Sequence, residues 1–494
     1  MFKKLLIANR GEIAIRVART ARELGVASAA VYTDVDRESL HVRRADEAWP
    51  LGENPRAYLD AERLVDTAVL AGCDALHPGY GFLSENADFA ELCAARGVTF
   101  VGPPSEAIRV MGEKQRARAT MAAAGVPVVP GGSAETLDEA RATAARVGYP
   151  LLVKAANGGG GKGMRLVMNE TELPSALERA RSEAEKAFGS ATVYIERALE
   201  GARHVEVQVL GDREGTVVHL GERDCSLQRR HQKILEETPC PVLDPKTREA
   251  LFDVALKGAR AIGYFSAGTF EFLLDRGGNF YFLEMNTRLQ VEHPITELVT
   301  GVDLVRAMLE IAAGARIPAE PPIRSGAAIE ARITAEDPSQ GFAPSPGTIE
   351  HYVSPSGPGV REDGGVQSGS RIGSDYDPLL SKICVWAPDR KQALLRMRRA
   401  LGECVITGLS TNLDLLDRLV LAPRVQSGDY DTAFVERELG SLLETATPRA
   451  VSDEVLAAAA AAFVARREST ETTRRPEPAL SPWVTVERAA RLDK

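Results

Sequence analysis

The segment from Lys4 to Val101 alternates between short apolar runs and amphipathic stretches, and this alternation constrains the fold more than any other feature. The apolar run Lys4 to Ala8 is followed by the turn Asn9-Arg10-Gly11 and by a stretch with helical spacing of Ile13, Val17, Ala21 and Leu24. Strands and helices alternate again in the segments Ala27 to Tyr32, Leu64 to Leu70, Ala75 to His77, Phe89 to Ala95 and Val98 to Val101. Such alternation favours a parallel sheet with helices on its faces. The turn at Asn9 lacks the G-x-G-x-x-G pattern, so no nucleotide is assigned to it.

The composition is that of an ordinary globular protein. The 494 residues are 44% hydrophobic and 26% charged, which predicts roughly two to four packed units. The net charge of -9 argues against general nucleic-acid binding.

Six cysteines without a C-x-x-C pair argue against a zinc cluster or a disulfide framework, and they favour a reducing, cytoplasmic location. We find no signal-peptide pattern after Met1 and no apolar window of about 18 residues, so no membrane association is predicted.

Two acidic strands joined by a glycine turn carry the strongest chemical signal. Glu271 and Glu284 lie in apolar strand-like runs, and Gly277-Gly278 between them is typical of a two-residue hairpin turn. This turn would place Glu271 opposite Glu284 and Thr269 opposite Asn286. Facing carboxylates repel unless a cation lies between them, and carboxylate and amide oxygens suit Mg²⁺ or Mn²⁺. The pattern predicts a metal site for a phosphate-bearing nucleotide; a surface hairpin with two solvated glutamates is the alternative.

A glycine run at 158–161 gives a second nucleotide signal. It lies between the strand-like segments Leu151 to Lys154 and Met164 to Val167, and lysines flank it on both sides. Consecutive glycines leave backbone N–H groups free to turn toward phosphate oxygens, which favours a mobile phosphate lid over a flexible linker. The segment Tyr194 to Leu199 reads as a strand that passes into a linker, and its edge could offer backbone groups to an adenine ring.

Two further segments are candidates for the same cleft. Val205, Val207 and Val209 alternate with polar residues, as in a strand buried on one face only. The basic run Glu222 to Lys233 reads as a loop, which is either a solvated face or a pocket for phosphate or a small carboxylate.

The segment that follows the acidic hairpin also carries candidate catalytic groups. If it is extended, Asn286, Arg288, Gln290 and Glu292 share one face with Glu284. An arginine could then hold a small anion while a glutamate removes its proton. A polar loop before a helix started by Pro294 is the alternative.

Together these segments resemble the biotin carboxylase component of biotin-dependent carboxylases, a member of the ATP-grasp ligases. The resemblance covers about residues 1–445 in unbroken order. The strings that carry it are KKLLIANRGEIAIRVARTARELG (Lys3 to Gly25), HPGYGFLSEN (His77 to Asn86), KAANGGGGKGM (Lys154 to Met164), ERDCSLQRRHQK (Glu222 to Lys233), EMNTRLQVEHPITE (Glu284 to Glu297) and EARITAEDP (Glu330 to Pro338).

The resemblance implies an α/β and α+β multidomain fold. The implied domains are a Rossmann-like N-terminal domain at 1–113, an ATP-grasp domain at 114–330 with a glycine-rich lid at 131–203, and a C-terminal biotin carboxylase domain at 331–447. Residues 448–494 read as an alanine-rich helix and a flexible tail.

The resemblance also implies a role for each candidate residue. The implied ATP-binding residues are Lys114, Lys154, Gly160, Gly161, Glu196, Arg197, Leu199, His204, His231, Glu271 and Glu284. Two Mg²⁺ or Mn²⁺ ions would be held by Glu271, Glu284 and Asn286. Bicarbonate would be bound by Lys233, Arg288, Gln290 and Val291. Glu292 would remove the bicarbonate proton, and Arg332 would bind biotin and steady its enolate.

Two departures from the family pattern and one missing motif qualify these expectations. Arg197 stands where a lysine is common in the family, which should alter nucleotide contacts slightly, and Thr238 to Pro241 replaces an alanine-rich run. No Met-Lys pair occurs, so biotin is expected on a separate biotin carboxyl carrier protein that works with carboxyltransferase subunits, and the resemblance suggests a homodimer. Acetyl-CoA carboxylase is the expected complex. The alternatives are the corresponding subunit of a pyruvate, propionyl-CoA or urea carboxylase, or a nucleotide-sensing scaffold without turnover.

Overall fold

The computed structural model describes residues 1–155, 165–188, 192–444 and 461. Met1–Gly440 forms one compact unit, to which the following description applies. The predicted lid glycines Gly160 and Gly161, and nearly all of the predicted tail, lie outside the described residues.

The N-terminal part confirms the predicted parallel sheet. Its five strands pair in parallel in the order β3-β2-β1-β4-β5. Leu5 and Ile7 pack on one side of the sheet with the first helix, whereas Leu6 packs on the other side with the third and fourth helices. The elements are β1 (Lys4–Ile7), α1 (Gly11–Glu23), β2 (Ala27–Thr33), α2 (Leu40–Arg44), β3 (Glu47–Gly52), α3 (Ala61–Leu70), β4 (Ala75–His77), α4 (Ala87–Ala95), β5 (Thr99–Phe100) and α5 (Ser105–Gly112).

A small antiparallel sheet with its own apolar core follows. Its elements are α6 (Lys114–Ala123), β6 (Gly131–Ala134), α7 (Leu137–Val147), β7 (Leu151–Ala155), β8 (Arg165–Val167), α8 (Leu173–Phe188) and β9 (Val193–Arg197), with strand order β6-β9-β7-β8. β9 pairs with β6 and β7 on its two sides, so it is not an edge strand, and the predicted contact of the segment up to Leu199 with an adenine ring stays a prediction. Beyond β9, Ala198 N still donates to Pro150 O at 2.9 Å.

The remaining elements build a large mixed region. They are β10 (Arg203–Gly211), β11 (Val217–Arg229), β12 (Gln232–Thr238), α9 (Pro245–Ala261), β13 (Ser266–Leu274), β14 (Phe280–Asn286), α10 (His293–Thr300), α11 (Leu304–Ala312), β15 (Ala327–Thr334), β16 (Glu336–Asp337), β17 (Ala343–Pro344), β18 (Gly347–Thr348), β19 (Tyr352–Val353), β20 (Val360–Gly364), β21 (Arg371–Ile372), β22 (Leu379–Ala387), α12 (Arg390–Glu403), β23 (Val405–Ile406), α13 (Leu413–Leu421), α14 (Pro423–Ser427) and α15 (Phe434–Glu444).

An eight-stranded antiparallel sheet positions most of the candidate residues. Its order is β14-β13-β10-β11-β12-β15-β22-β20. The predicted domain boundary at residue 330 falls inside β15, and the sheet continues across it through the pairs β12–β15 and β15–β22. The division of the chain into four domains stays a prediction.

The hairpin β13–β14 confirms the predicted pairing of the two acids. Glu271 is the partner of Glu284, and Thr269 is the partner of Asn286. Both glutamates therefore lie near one end of the hairpin, next to the point where β14 ends.

The predicted two-residue turn is wrong, and a second irregularity compensates for it. Leu274 pairs with Phe280, and Asp275 N donates to Asn279 O, so three residues form the tip. The register then shifts by one residue at Leu283, a β-bulge that restores the opposition of the two acids.

Two other predictions are wrong: that β10 is buried on one face only, and that the basic run Glu222 to Lys233 is a loop. The valines of β10 pack into an apolar core with α9, as expected, but Glu206 and Gln208 are fully buried too. They are buried because Arg223 donates to both, at 2.5 Å and 2.7 Å, which compensates their polarity. The basic run is not a loop: it belongs to β11 and β12, with Arg230 and His231 at positive φ in the turn between them.

In the part of the chain that the structure describes, no helix combines the length and apolar character of a membrane span.

Candidate active site

A cavity of about 810 Å³ opens where β9, β10, β12, β14 and β15 approach one another. It brings together residues from distant parts of the sequence: the described candidates that line it are Lys114, Lys154, Glu196, Arg197, Leu199, His204, His231, Lys233, Glu271, Glu284, Asn286, Arg288, Gln290, Val291 and Arg332. Glu292 is fully buried beside it. The structure thus places the described candidates in one site, although it does not itself assign their roles.

Lys233 on β12 connects three carboxylates. Its Nζ donates to Glu206 at 2.6 Å, to Glu271 at 3.0 Å and to Glu292 at 2.6 Å. Burial would lower the pKa of Lys233, but the acidic groups around it raise that pKa well above its ordinary value. Lys233 is therefore charged, and it neutralises acids that would otherwise repel one another in a buried site.

Glu292 lies between two cations. Its Oε1 accepts from Lys233, and its Oε2 accepts from Arg332 Nη2 at 2.8 Å. Burial alone would raise the pKa of Glu292, but Lys233, Arg332 and Arg223 lower it well below the usual range. The carboxylate is therefore ionised. Contact with both cations weakens it as a base, and it becomes a stronger base whenever one of them turns toward a bound anion.

Glu271 and Glu284 face each other in different electrostatic settings. Glu271 accepts from Lys233 and from Asn286 Nδ2 at 2.8 Å, and His204 Nε2 lies 2.9 Å from its other oxygen. Burial opposes ionisation of Glu271, but Lys233 and His204 together lower its pKa. Burial and then the charge of Glu271 raise the pKa of Glu284.

These residues fit a hard divalent cation. The two carboxylates and the amide of Asn286 offer oxygen ligands, which Mg²⁺ and Mn²⁺ prefer. Burial, and after it the charge of Glu271, raises the pKa of Glu284, so a second negative charge is unfavourable at this position without a further cation. A bound divalent cation would stabilise that charge.

Arg288 points into the cavity from a segment that is not extended. β14 ends at Asn286, so the prediction of a continued strand is wrong. The side chains still converge, because Arg288 Nη2 donates to Asn286 Oδ1 at 2.9 Å and Gln290 Nε2 donates to Glu271 at 3.2 Å. Glu85, from the N-terminal sheet region, accepts from Arg288 Nε at 2.8 Å.

Further candidate nucleotide-binding residues line the same cavity. Lys154 Nζ donates to Glu196 at 2.7 Å, so two of them pair directly across β7 and β9. Lys114, at the start of α6, is exposed and lowers the pKa of Glu284 through its charge. Cations from α6 and β7 therefore line the same cavity as the acidic hairpin.

Several participating residues were missed by the sequence reasoning. Glu206 joins Lys233 to Arg223, Glu236 accepts from Arg332 Nε at 2.6 Å, and Tyr80 lines the cavity while it bonds Glu12. The one available signal was the placement of Glu206 and Glu236 in strand-like runs, where a charged residue needs a buried partner.

Comparisons with known families agree with this organisation. The family model "Biotin carboxylase, N-terminal domain" matches residues 1–108. "Carbamoyl-phosphate synthase L chain, ATP binding domain" matches residues 113–320, and "Biotin carboxylase C-terminal domain" matches residues 330–437.

Individual relatives are similar over most of the chain. A biotin carboxylase of Nostoc sp. is 51% identical over 88% of this chain and 99% of that protein. The mitochondrial methylcrotonoyl-CoA carboxylase subunit alpha of Mus musculus is 50% identical over 89% of this chain, which spans 62% of that longer protein. A solved structure, the biotin carboxylase domain dimer of Hydrogenobacter thermophilus 2-oxoglutarate carboxylase with MgADP, ADP and bicarbonate, is 48% identical, with a TM-score of 0.84 over 90% of this chain and 99% of that one.

Proposed function

The chain belongs to the biotin carboxylase family of ATP-grasp ligases, and from this premise we propose that it uses ATP and bicarbonate to carboxylate biotin carried by a separate protein. The observation that supports this most is the placement of Glu292 between Lys233 and Arg332 at the wall of the cavity. One ionised base thereby lies next to two cations, and each of these cations can turn to an anionic reactant.

We propose that Arg288, Gln290, Val291 and Lys233 hold bicarbonate while Glu292 takes its proton. The deprotonated bicarbonate oxygen attacks the γ-phosphorus, the bond to ADP breaks, and carboxyphosphate forms. Lys114, Lys154, His204 and His231 line the cavity and would neutralise or orient the phosphates, and Glu196, Arg197 and Leu199, which line it too, would contact the adenine. Glu271, Glu284 and Asn286 would hold Mg²⁺ or Mn²⁺, which neutralises charge on the transferring phosphoryl group.

The second half of the reaction is assigned to the Arg332 side of the cavity. Carboxyphosphate releases CO₂ and phosphate, the phosphate takes the N1′ proton of biotin, and the resulting enolate attacks CO₂. Arg332 would stabilise the enolate oxygen, and this role is supported by the contact of its guanidinium with Glu292 and by its position in the lining of the same cavity. Gly160 and Gly161, outside the described residues, remain the proposed lid that keeps water from carboxyphosphate.

We propose an acyl-CoA carboxylase complex as the setting, with acetyl-CoA as the first acceptor to test. The relatives include a methylcrotonoyl-CoA and a 2-oxoglutarate carboxylase, so the cavity alone leaves the acceptor open. The proposed partners are a biotinylated carrier protein and carboxyltransferase subunits, and the biotin carboxylase domain dimer of the solved relative supports a homodimer.

The function is tested by ADP release with ATP, Mg²⁺ and bicarbonate, in the presence and absence of free biotin. We expect ADP release to require bicarbonate and to increase when biotin is added. ATP binding without biotin-stimulated ADP release would contradict the proposal and favour the nucleotide-sensing scaffold.

Glu284→Gln is expected to raise the Mg²⁺ concentration needed for half-maximal ADP release by about 10- to 100-fold, the usual scale for weakening a metal site. The cause is the loss of one of the two facing charges, with the side-chain shape kept. A Mg²⁺ titration at saturating ATP measures the effect. Glu249→Gln, an exposed glutamate on α9, is the control and should leave the titration unchanged. A wild-type Mg²⁺ requirement in Glu284→Gln would remove Glu284 from the metal site.

A further inference from the structure

Two fully buried carboxylates face each other behind Arg332. Glu236 on β12 and Glu330 on β15 are direct cross-strand partners, and neither is exposed to solvent. Side chains so paired lie on the same face of the sheet. Glu236 Oε2 and Glu330 Oε1 each have no hydrogen-bond partner among the described residues. Two ionised acids in this position would repel, and each would leave an oxygen unsatisfied.

The remaining oxygens of the pair are already engaged. Glu236 Oε1 accepts from Arg332 Nε at 2.6 Å, and Glu330 Oε2 accepts from Cys384 Sγ at 3.3 Å. Turning either carboxylate so that its two oxygens change places would bring the free oxygen to the partner, but it would take the bonded oxygen away from that partner. Such a rotation therefore leaves one oxygen of each acid unsatisfied.

The charges that face the pair come from every neighbouring element. Arg332 and Glu292 act on both acids, Lys233 on β12 acts on Glu236, and Lys382 on β22 acts on Glu330. The lysines near the pair also bind other acids: Lys233 binds three other carboxylates, and Lys382 pairs with Glu12 at 3.0 Å. Burial is the largest influence on each acid; it raises the pKa of Glu236 to about 7 and that of Glu330 well above its ordinary value.

We propose that Glu236 and Glu330 share one proton, which Glu330 Oε1 donates to Glu236 Oε2, and that this pair is a positioning device for Arg332. One proton satisfies both orphaned oxygens and removes one of two adjacent negative charges. Glu236 Oε1 lies 2.6 Å from Arg332 Nε and 2.5 Å from Nη2, so the guanidinium stays fixed in direction while the acid pair beside it carries one negative charge rather than two.

This inference rests on the proposed function, because the anion that Arg332 serves is the biotin enolate. Loss of the shared proton would leave two carboxylates beside Arg332. Their extra charge would neutralise the guanidinium and disfavour a new anion next to it. The pair should therefore affect the biotin step and leave ATP binding unchanged.

The decisive comparison is between Glu330→Gln and Glu330→Ala. Glutamine can donate an amide N–H to Glu236 as the proton does, so Glu330→Gln should keep biotin-dependent kcat/KM close to wild type at neutral pH. Alanine removes the donor, so Glu330→Ala should lower it on the order of tenfold, the scale for losing a group that orients a reacting side chain. The KM for ATP should change in neither variant. Equal impairment of both variants would overturn the proposal.

The pH profile of the biotin step and the infrared spectrum distinguish a shared proton from a merely structural role, because loss of packing alone would change neither of them. The wild-type biotin step should slow as rising pH removes the shared proton, and Glu330→Gln should lack this alkaline decline. Difference infrared spectra in D₂O should show a protonated carboxyl band that is lost in Glu330→Gln and kept in the partly exposed control Glu310→Gln. A wild-type protein without the band, or a band kept in Glu330→Gln, would refute the shared proton. This spectrum decides the inference even if biotin fails to stimulate ADP release, which would refute the proposed function instead.

Discussion

Glu292→Gln is expected to lower bicarbonate-dependent ADP release and biotin carboxylation by about 10²- to 10⁴-fold, the range over which a positioned general base accelerates a reaction. Glutamine keeps the shape, but its single carbonyl oxygen can accept from only one of Lys233 and Arg332, which donate to the two different oxygens of Glu292 at 2.6 Å and 2.8 Å. It cannot accept a proton from bicarbonate. ATP binding, measured by calorimetry or by displacement of a fluorescent nucleotide, should be retained.

A matched control separates the loss of a base from the loss of a buried charge. Glu206 is also fully buried and also accepts from Lys233 at 2.6 Å, but its other partner is Arg223 rather than Arg332. Glu206→Gln should therefore reduce stability and lower the rate much less than Glu292→Gln. Equal rates in the two variants would show that charge balance, rather than proton removal, explains the effect, and wild-type activity in Glu292→Gln would refute the assignment of the base.

The acidic hairpin shows how far local pattern can predict a site. Apolar residues on both sides of Glu271 and Glu284 predicted the strands, and the opposition of the two acids predicted a repulsion that a bound cation would relieve. The turn was wrong by one residue, and the bulge at Leu283 compensated for it. A bulge depends on how β14 packs against its surroundings, so the sequence of the hairpin alone does not reveal it.

The basic run on β11 and β12 shows why the remainder of the site was harder to predict. Charged residues in succession are typical of loops, and the sequence from Glu222 to Lys233 was interpreted in that way. In the structure Arg223 and Glu206 neutralise each other inside the sheet at 2.5 Å, although they are separated by 17 residues. Glu236 and Glu330 are likewise ordinary single glutamates until the register of β12 and β15 brings them together. Tertiary pairing, which local propensity does not contain, decides whether such residues are solvated or buried.

Lys233→Met is expected to cost about 3–5 kcal/mol of folding free energy, as when one partner of a buried ion pair is removed. Methionine keeps the apolar volume, but it leaves Glu206, Glu271 and Glu292 without their shared cation. Urea unfolding in the presence of EDTA measures the loss without a contribution from bound metal. The exposed control Lys391→Met should unfold like wild type.

The pH dependence of this loss identifies its cause. In the wild type the pKa of Glu292 is held well below its ordinary value of 4.5, so its contribution to stability is present above that value and disappears as pH falls through the lowered pKa. Without Lys233, burial is opposed by one cation fewer and the folded-state pKa of Glu292 rises. The folded variant then takes up this proton at a higher pH than the folded wild type does, so part of the stability lost with Lys233 is recovered as pH falls through the raised pKa. The stability difference between wild type and Lys233→Met should therefore shrink as pH falls. Lys233→Arg, which keeps the charge, should show a much smaller loss of stability with little pH dependence. A loss in Lys233→Met that does not change with pH would instead indicate lost packing, because packing does not depend on the ionisation of the three acids.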